Sequence, residues 1–362
     1  MYKEELFNIK IQEPCLKSYK KAQLHWDGIA KPLDGLGVFE NIIKNIAGIT
    51  RNADVTIDKK AVVVMCADNG IVEEGVSQSG HEVTAIVSAN MAKGIASVCR
   101  MARVAGADVF PVDIGIKENI LTEGLINRKI SNGTANFVKE PAITSEGLLM
   151  AIQIGIDITR DLKEKGYNII ATGEMGIGNT TTSSALASVM LNMPVSEVAG
   201  RGAGLNDEGL KRKISVIDYA IRKYGLGSKI YTCREETFKA LCCTGGLDIA
   251  GLTGVFIGGA LYHIPIIIDG IISAVAALAA ERLVPGCRLY MIASHMGREP
   301  ACKFILDSLC LKPVIDAGLA LGEGTGAVLL FPMLDMVMEV YRENTTFDDI
   351  NIAQYKRFTD IW

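Results

Sequence analysis

The sequence predicts an α/β fold built on an open, mostly parallel sheet with helices on both faces. Short apolar runs without alternation, such as Ala61-Val62-Val63-Val64-Met65-Cys66, suit strands covered on both sides. These runs alternate with longer segments of helical spacing, which is βαβ grammar. Several of them end in polar or glycine corners: Asp68-Asn69-Gly70, Gly173 to Asn179, Asp269-Gly270 and Ser294-His295. Ligands of open parallel sheets bind beyond the carboxyl ends of strands, so these converging ends mark a candidate site.

In chain order, residues 1–55 read as helices and loops. His25-Trp26-Asp27 to Leu36 is interrupted by Pro32 and glycines, and Val38 to Ile49 has helical apolar spacing. After the first strand, Val83 to Ala105 is expected as a helix, Asp108 to Ile114 as a strand and Ser145 to Lys165 as a helix. Tyr167 to Thr172 is the next strand, and Thr182 to Met190 the helix behind its glycine turn. Helices follow over Asp207 to Tyr224, Glu235 to Cys243 and Leu247 to Tyr262. Pro265 to Ile268 and Arg288 to Ala293 read as strands, with helices after them at Ile271 to Glu281 and Glu299 to Leu311. Ala327 to Tyr341 is an apolar helix, and Glu343 to Trp362 a polar closing helix or arm. Residues 1–55 and 330–362 are therefore expected to form a small helical unit beside a large α/β unit over 56–329.

Composition narrows the function classes. Of the 362 residues 49% are hydrophobic and 22% charged, a globular balance with enough apolar mass for a large core. Net charge is −4 with no basic block, which argues against nucleic acid as the main partner; a phosphorylated small molecule needs one local positive site. The nine cysteines (Cys15, Cys66, Cys99, Cys233, Cys242, Cys243, Cys287, Cys302 and Cys310) lie scattered, without C-x-x-C, which fits reduced thiols in a cytoplasm. Met1 to Lys21 has no apolar h-region, so no signal peptide is expected, and the longest apolar run, Ile271 to Ala280, is too short to span a bilayer. His25, His81, His263 and His295 share no metal-ligand spacing.

The strongest local signal is Gly173-Glu174-Met175-Gly176-Ile177-Gly178-Asn179-Thr180. Its glycines permit positive φ and close backbone approach, and Asn179, Thr180 and Thr181 are helix-capping types. Free N–H groups and the positive end of a helix dipole then point at one spot, which suits a phosphate or carboxylate. The Walker lysine is missing and G-x-G-x-x-G is not matched, so a tight packing turn is the competing reading. Gly200-Arg201-Gly202-Ala203-Gly204 is a second such turn, with Lys213 in the helix behind it as a point charge for phosphate. Lys211 and Arg212 beside it fit an ordinary solvated face equally well. Leu321-Gly322-Glu323-Gly324-Thr325-Gly326 sets one carboxylate among glycines before an apolar helix. It suits a general base, or else a glutamate that complements a helix dipole. Ser77-Gln78-Ser79-Gly80-His81 is a polar loop near the expected pocket mouth, and Asp269-Gly270 can orient a sugar hydroxyl or cap the next helix.

Taken jointly and in order, these blocks resemble the nicotinate-nucleotide–dimethylbenzimidazole phosphoribosyltransferase family. The resemblance rests on His25-Trp26-Asp27 with Lys31-Pro32-Leu33, Ala67 to Gly70 with Glu74 to Ser77, and Gly173 to Thr182. It continues through Gly200 to Gly204, Gly245 to Ala250, Asp269-Gly270, Ser294-His295 with Glu299-Pro300, and Leu321 to Ala327. It implies a Rossmann-like large domain, a small helical domain from both chain ends, a dimer, and chemistry with no cofactor and no metal. The implied reaction moves phosphoribose from nicotinate mononucleotide to an aromatic base such as 5,6-dimethylbenzimidazole, in the cobalamin nucleotide-loop pathway.

On the family's pattern the catalytic glutamate falls on Glu323, the phosphate turn on Gly176, Ile177, Gly178, Asn179 and Thr180, and the phosphate lysine on Lys213. Gly202, Ala203 and Gly204 would line the nucleotide, Glu174 matches a pocket position, Asp269 and Gly270 fall at the nucleotide, and Ser77 and His81 fall at the base pocket. Many relatives have a proline-containing loop after the serine at position 77, where this chain has Gln78-Ser79-Gly80-His81. Homologues that make O-glycosides of phenolic bases, in some cases as one subunit of a heterodimer, supply the alternative acceptor. A silent nucleotide-binding subunit and a nicotinamide-dependent oxidoreductase are readings from other classes. The presence of Glu323 and Lys213 argues against the first, and the absent dinucleotide fingerprint against the second.

Overall fold

The computed structural model describes residues 1–227 and 234–358, so Cys233 and the end of the expected closing arm lie outside the described residues. Six strands form one sheet: β1 (Lys60–Ala67), β2 (Ala107–Gly115), β3 (Ile126–Asn127), β4 (Ile169–Met175), β5 (Ile266–Ile268) and β6 (Met291–Ala293). Their order is β3-β2-β1-β4-β5-β6, with every pairing parallel. This is the Rossmann-like order, in which the direction of winding reverses between β1 and β4 and leaves a crevice at their carboxyl ends.

The helices are α1 (Lys3–Asn8), α2 (Leu16–Gly28), α3 (Val38–Thr50), α4 (Glu82–Ala92), α5 (Ser97–Val104), α6 (Ser145–Glu164) and α7 (Asn179–Leu191). They continue with α8 (Val195–Val198), α9 (Asp207–Tyr224), α10 (Arg234–Thr244), α11 (Leu247–Leu261), α12 (Ile271–Leu283), α13 (Ala301–Ser308) and α14 (Thr325–Glu343). Every residue of β1 is buried, as its unbroken apolar run predicts. Ala61, Val63 and Met65 face a core shared with α6, α11 and α12, whereas Val62, Val64 and Cys66 face a second core with α3, α5 and α14. Helices α6 and α11 meet backbone to backbone, because a Cβ on Gly155 would lie 2.0 Å from the Gly251 carbonyl oxygen.

The chain ends meet on the second core. Trp26 of α2, Ile43 and Ile46 of α3 and Phe331 and Leu334 of α14 share it with one face of β1. A bridge between Ile29 and Thr346 and a fork from Arg357 to Asp27 and Asp34 tie the C-terminal arm down. The first helix, α1, sends Leu6 into the opposite core.

The structure corrects several element boundaries. The expected helix over Val83 to Ala105 is two helices, broken where Gly94 turns left-handed at φ +72. The first half of the expected strand Arg288 to Ala293 is a 3-10 turn at Cys287–Tyr290, because the Glu281 carboxylate accepts from the Gly286 and Arg288 amides. The short strand β3 carries no signal of its own in the sequence. Gly173 and Glu174, read as the start of the glycine turn, are the last part of β4.

Candidate active site

At the carboxyl ends of β4, β5 and β6 lies a cavity of about 280 Å³. One wall is the turn from β4 into α7, contributing Glu174, Met175, Gly176, Ile177, Asn179 and Thr180. A second is the corner Gly202-Ala203 with Arg298 and Glu299, and a third is Asp269 to Ser273 with His295. Leu319 to Glu323 and Val87 close it.

Gly178 is the N-cap of α7 at φ +93 and offers no capping side chain. No side-chain cap closes the first turn of α7, and Asn179 and Thr180 of that turn line the cavity, so the positive end of its dipole lies at the cavity wall. Gly176 is required by close packing: a Cβ there would lie 2.4 Å from the Ala67 carbonyl oxygen and 2.8 Å from Asp248 Oδ2. Asn179 does not cap its own helix. Its Nδ2 donates to Glu174 Oε2 and, at 3.0 Å, to buried Asp248 Oδ2. Burial pushes the Glu174 carboxyl up to about 8, with Asp248 and Asp269 adding to the shift, and burial raises Asp248 to about 6.

Lys213, on α9, is fully buried beneath this wall. Its Nζ donates to Thr180 Oγ1 at 3.2 Å and to the Gly200 carbonyl at 3.0 Å. Burial lowers its ammonium to about 8, opposed by Glu299. Glu299 Oε1 accepts from the Gly202 amide at 3.1 Å, so it braces the second glycine corner. Two glycine corners and one buried cation thus surround Thr180.

Opposite them, Glu323 adopts φ +61 between left-handed Gly322 and Gly324. Such backbone is costly for an L residue and gathers at functional sites. Gly173 makes room for it, since a Cβ there would lie 2.4 Å from the Glu323 carbonyl oxygen. Glu323 Oε2 accepts from the Val98 amide in the first turn of α5. The carboxylate is therefore held by an amide rather than by a cation. Burial raises the carboxyl of Asp269, with His295 opposing it, and burial lowers the imidazole of His295.

Among the residues singled out from sequence, the cavity brings together Glu323, Glu174, Gly176, Ile177, Asn179, Thr180, Gly202, Ala203, Asp269 and Gly270. Lys213 reaches it through Thr180. Ser77, His81, Gly178 and Gly204 do not line it. His81 Nδ1 lies 3.1 Å from Asp68 Oδ1, and Gln78 donates to the Gly204 carbonyl, so the 77–81 loop folds onto the second glycine corner. Sequence reading overlooked Val87, Arg298, Leu319 and Glu299 as cavity residues. Only Glu299 carried a signal, a carboxylate before Pro300 at a helix start. Among the described residues, no group of His, Cys, Asp and Glu could hold a metal ion.

Comparison with known proteins adds to this geometry. The family model described as phosphoribosyltransferase, DBI_PRT, matches residues 11–352. A relative from Ruminiclostridium cellulolyticum is 44% identical over 353 residues, 98% of each chain. One from Acetivibrio thermocellus is 45% identical over 334 residues, 92% of this chain and 93% of the other. Both are named nicotinate-nucleotide–dimethylbenzimidazole phosphoribosyltransferase. The crystal structure of CobT from Thermus thermophilus is similar at 32% identity and a TM-score of 0.87, covering 94% of this chain and 100% of the other.

Proposed function

The chain belongs to the nicotinate-nucleotide–dimethylbenzimidazole phosphoribosyltransferase family, and from that premise we propose that it transfers phosphoribose from nicotinate mononucleotide to 5,6-dimethylbenzimidazole or a close aromatic base. The observation that carries this reading is the shared cavity: Glu323 faces the same space as the α7 turn and the Gly202-Ala203 corner. The 5'-phosphate sits at Gly176 to Thr180 and Gly202-Ala203, with the Lys213 charge behind it. The apolar side chains Val87, Met175, Leu319 and Leu321 flank the acceptor base.

In the reaction, one ring nitrogen of the base attacks C1' of the ribose from the face opposite the nicotinate, forming the new C–N bond with inversion. The bond to the pyridinium nitrogen breaks, and its electron pair stays on nicotinate, which leaves with a neutral ring nitrogen. Glu323 takes the proton from the other ring nitrogen of the base. The leaving group needs no general acid, which accounts for a single catalytic carboxylate. Holding both substrates in line supplies much of the remaining acceleration.

The relatives' names carry no phenolic acceptor, and the phenolic alternative draws no support from them. A cytoplasmic location fits the eight described cysteines, all free thiols, and no helix among the described residues is long and apolar enough to cross a membrane. A homodimer fits the exposed Leu321 at the cavity and the exposed Ile86 next to cavity-lining Val87. The small helical domain in this reading comprises 1–55 and 330–362. The test is release of nicotinate from nicotinate mononucleotide by the purified chain, dependent on added dimethylbenzimidazole. Absence of base-dependent release would overturn the assignment.

A further inference from the structure

Glu323 sits in a left-handed corner between two left-handed glycines, so contacts from outside must hold it. Asp269, just beyond the end of β5, supplies two of them at the start of α14. Its Oδ2 accepts from the Gly324 amide at 3.2 Å and its Oδ1 from the Ala327 amide at 3.0 Å. Both amides belong to the start of α14, whose N-cap, Gly324, has no side chain to satisfy them. The carboxylate therefore caps α14 through space and faces the positive end of its dipole.

His295 stands behind this contact. A Cβ on Gly326 would fall 2.1 Å from His295 Cε1 and 3.0 Å from Asp269 Oδ1, so the ring and the carboxylate fill the place where a side chain would be. Ser294 Oγ lies 2.9 Å from His295 Nδ1 and fixes the ring. Asp269 is 3% and His295 4% exposed, so neither is a solvated surface group. With both oxygens of Asp269 committed to α14, its geometry is that of a clamp on the corner.

We propose that Asp269, backed by His295, is the positioning residue of the Glu323 corner, acting on the reaction through the place of the Glu323 carboxylate and not through the sugar. The proposal rests on the reading of Glu323 as the base. It explains why β5 ends in an aspartate, and why Gly326 follows the corner: any larger residue there would displace the clamp.

The test is a double-mutant cycle followed by steady-state nicotinate release. Asp269→Asn keeps the shape but turns one acceptor into an N–H that faces a helix amide. The expected result is a fall in kcat of about 100-fold, the cost of a ~1 Å misplacement, with the KM for nicotinate mononucleotide within about threefold of the parent. In a Glu323→Gln background the same change lowers the residual rate by less than about twofold, because the group it positions is already gone. Gly326→Ala, which forces the His295 ring aside, gives the same loss of kcat at unchanged KM and carries the test if Asp269→Asn does not fold. A large rise in KM with kcat retained would make Asp269 a sugar ligand and overturn the proposal. Equal losses in the two backgrounds would overturn it as well. Full turnover by Glu323→Gln alone would instead remove the base assignment beneath it.

Discussion

Glu323 Oε2 accepts a hydrogen bond from the Val98 amide at 3.1 Å, so the carboxylate of one glycine corner caps a helix far away in sequence. Ala96, the N-cap of α5, has no side chain to do this. In Glu323→Gln the amide oxygen can still accept from Val98, so fold and nucleotide binding persist while the proton acceptor is lost. Turnover is expected to fall by about 10²–10⁴-fold. Product formation and calorimetric nucleotide binding, measured on the same preparation, check both halves; an unchanged rate removes Glu323 from its role.

Lys213 gives a prediction on the alkaline side. Its buried ammonium titrates at about 8, below the ordinary 10.5, so the empty protein progressively loses this charge above about pH 8. Affinity for nicotinate mononucleotide is expected to weaken over that range, and to lose that dependence in Lys213→Met along with about tenfold or more in Kd. The sign for stability is opposite. The folded chain binds fewer protons than the unfolded one between about 8 and 10.5, so Lys213 contributes a penalty below that window that is relieved as pH rises. Lys213→Met should therefore melt no lower than the parent at neutral pH. Calorimetric titrations and melting curves across the window check this; a parallel pH dependence in parent and variant would sink it.

Glu174 behaves in the other sense. Its carboxyl is raised from 4.5 to about 8 by burial, with Asp248 and Asp269 adding to the shift. The folded chain then holds a proton that the unfolded chain gives up between those values, so stability falls as pH rises through the window. Glu174→Gln keeps an acceptor for Asn179 and removes the titration. Its melting temperature is expected to exceed the parent's by an amount that grows from about pH 5 to pH 8. A gain independent of pH would show that Glu174 does not titrate there.

How much of this was legible in the sequence depended on whether a contact is local. The two glycine corners, the lone Glu323 among glycines and Lys213 behind the second corner were visible, because each is a short pattern with its own chemistry. The parallel sheet was visible too, since Ala61 to Cys66 of β1 is an unbroken apolar run and Ile169 to Ala171 of β4 a shorter one. What escaped were relations between distant segments. Gly173 reads as part of a phosphate turn, but in the sheet it is the strand residue over which the Glu323 peptide lies. The break between α4 and α5 rests on one left-handed glycine inside a long helical pattern, and it is this break that supplies the amide for Glu323. The Glu299 contact with Gly202 joins residues 97 apart in sequence, which no local spacing reports.

That reassignment of Gly173 can be tested directly. In Gly173→Ala the new methyl would lie 2.4 Å from the Glu323 carbonyl oxygen, with both backbones fixed by the sheet and the glycine corner. Overpacking of this kind costs about 1–3 kcal/mol, or a fall of several degrees in Tm for a chain of this size. Turnover should fall more than nucleotide affinity, because the displaced group is the base and not the phosphate cradle. If nucleotide binding is lost while kcat is kept, Gly173 belongs to the phosphate turn after all.

The acceptor end of the cavity leads to the last prediction. Val87, Met175, Leu319 and Leu321 line the cavity, flank the base in the proposed reading, and have no N–H or O–H to pair with it. The flat apolar edge of dimethylbenzimidazole loses nothing by desolvation there. Adenine would bury its exocyclic amine against the same wall, at a cost of about 1–3 kcal/mol if unpaired, which is about 5–150-fold in kcat/KM. Phenol and p-cresol present less apolar area and no ring nitrogen for the attack on C1'. In competition assays with nicotinate mononucleotide, the order is therefore expected to be dimethylbenzimidazole, then benzimidazole, then adenine, with phenols giving the least product. Chromatography and the linkage of the isolated riboside decide it. An O-linked product formed faster than the N-linked one would mean that the 77–81 loop, and not the apolar wall, selects the base.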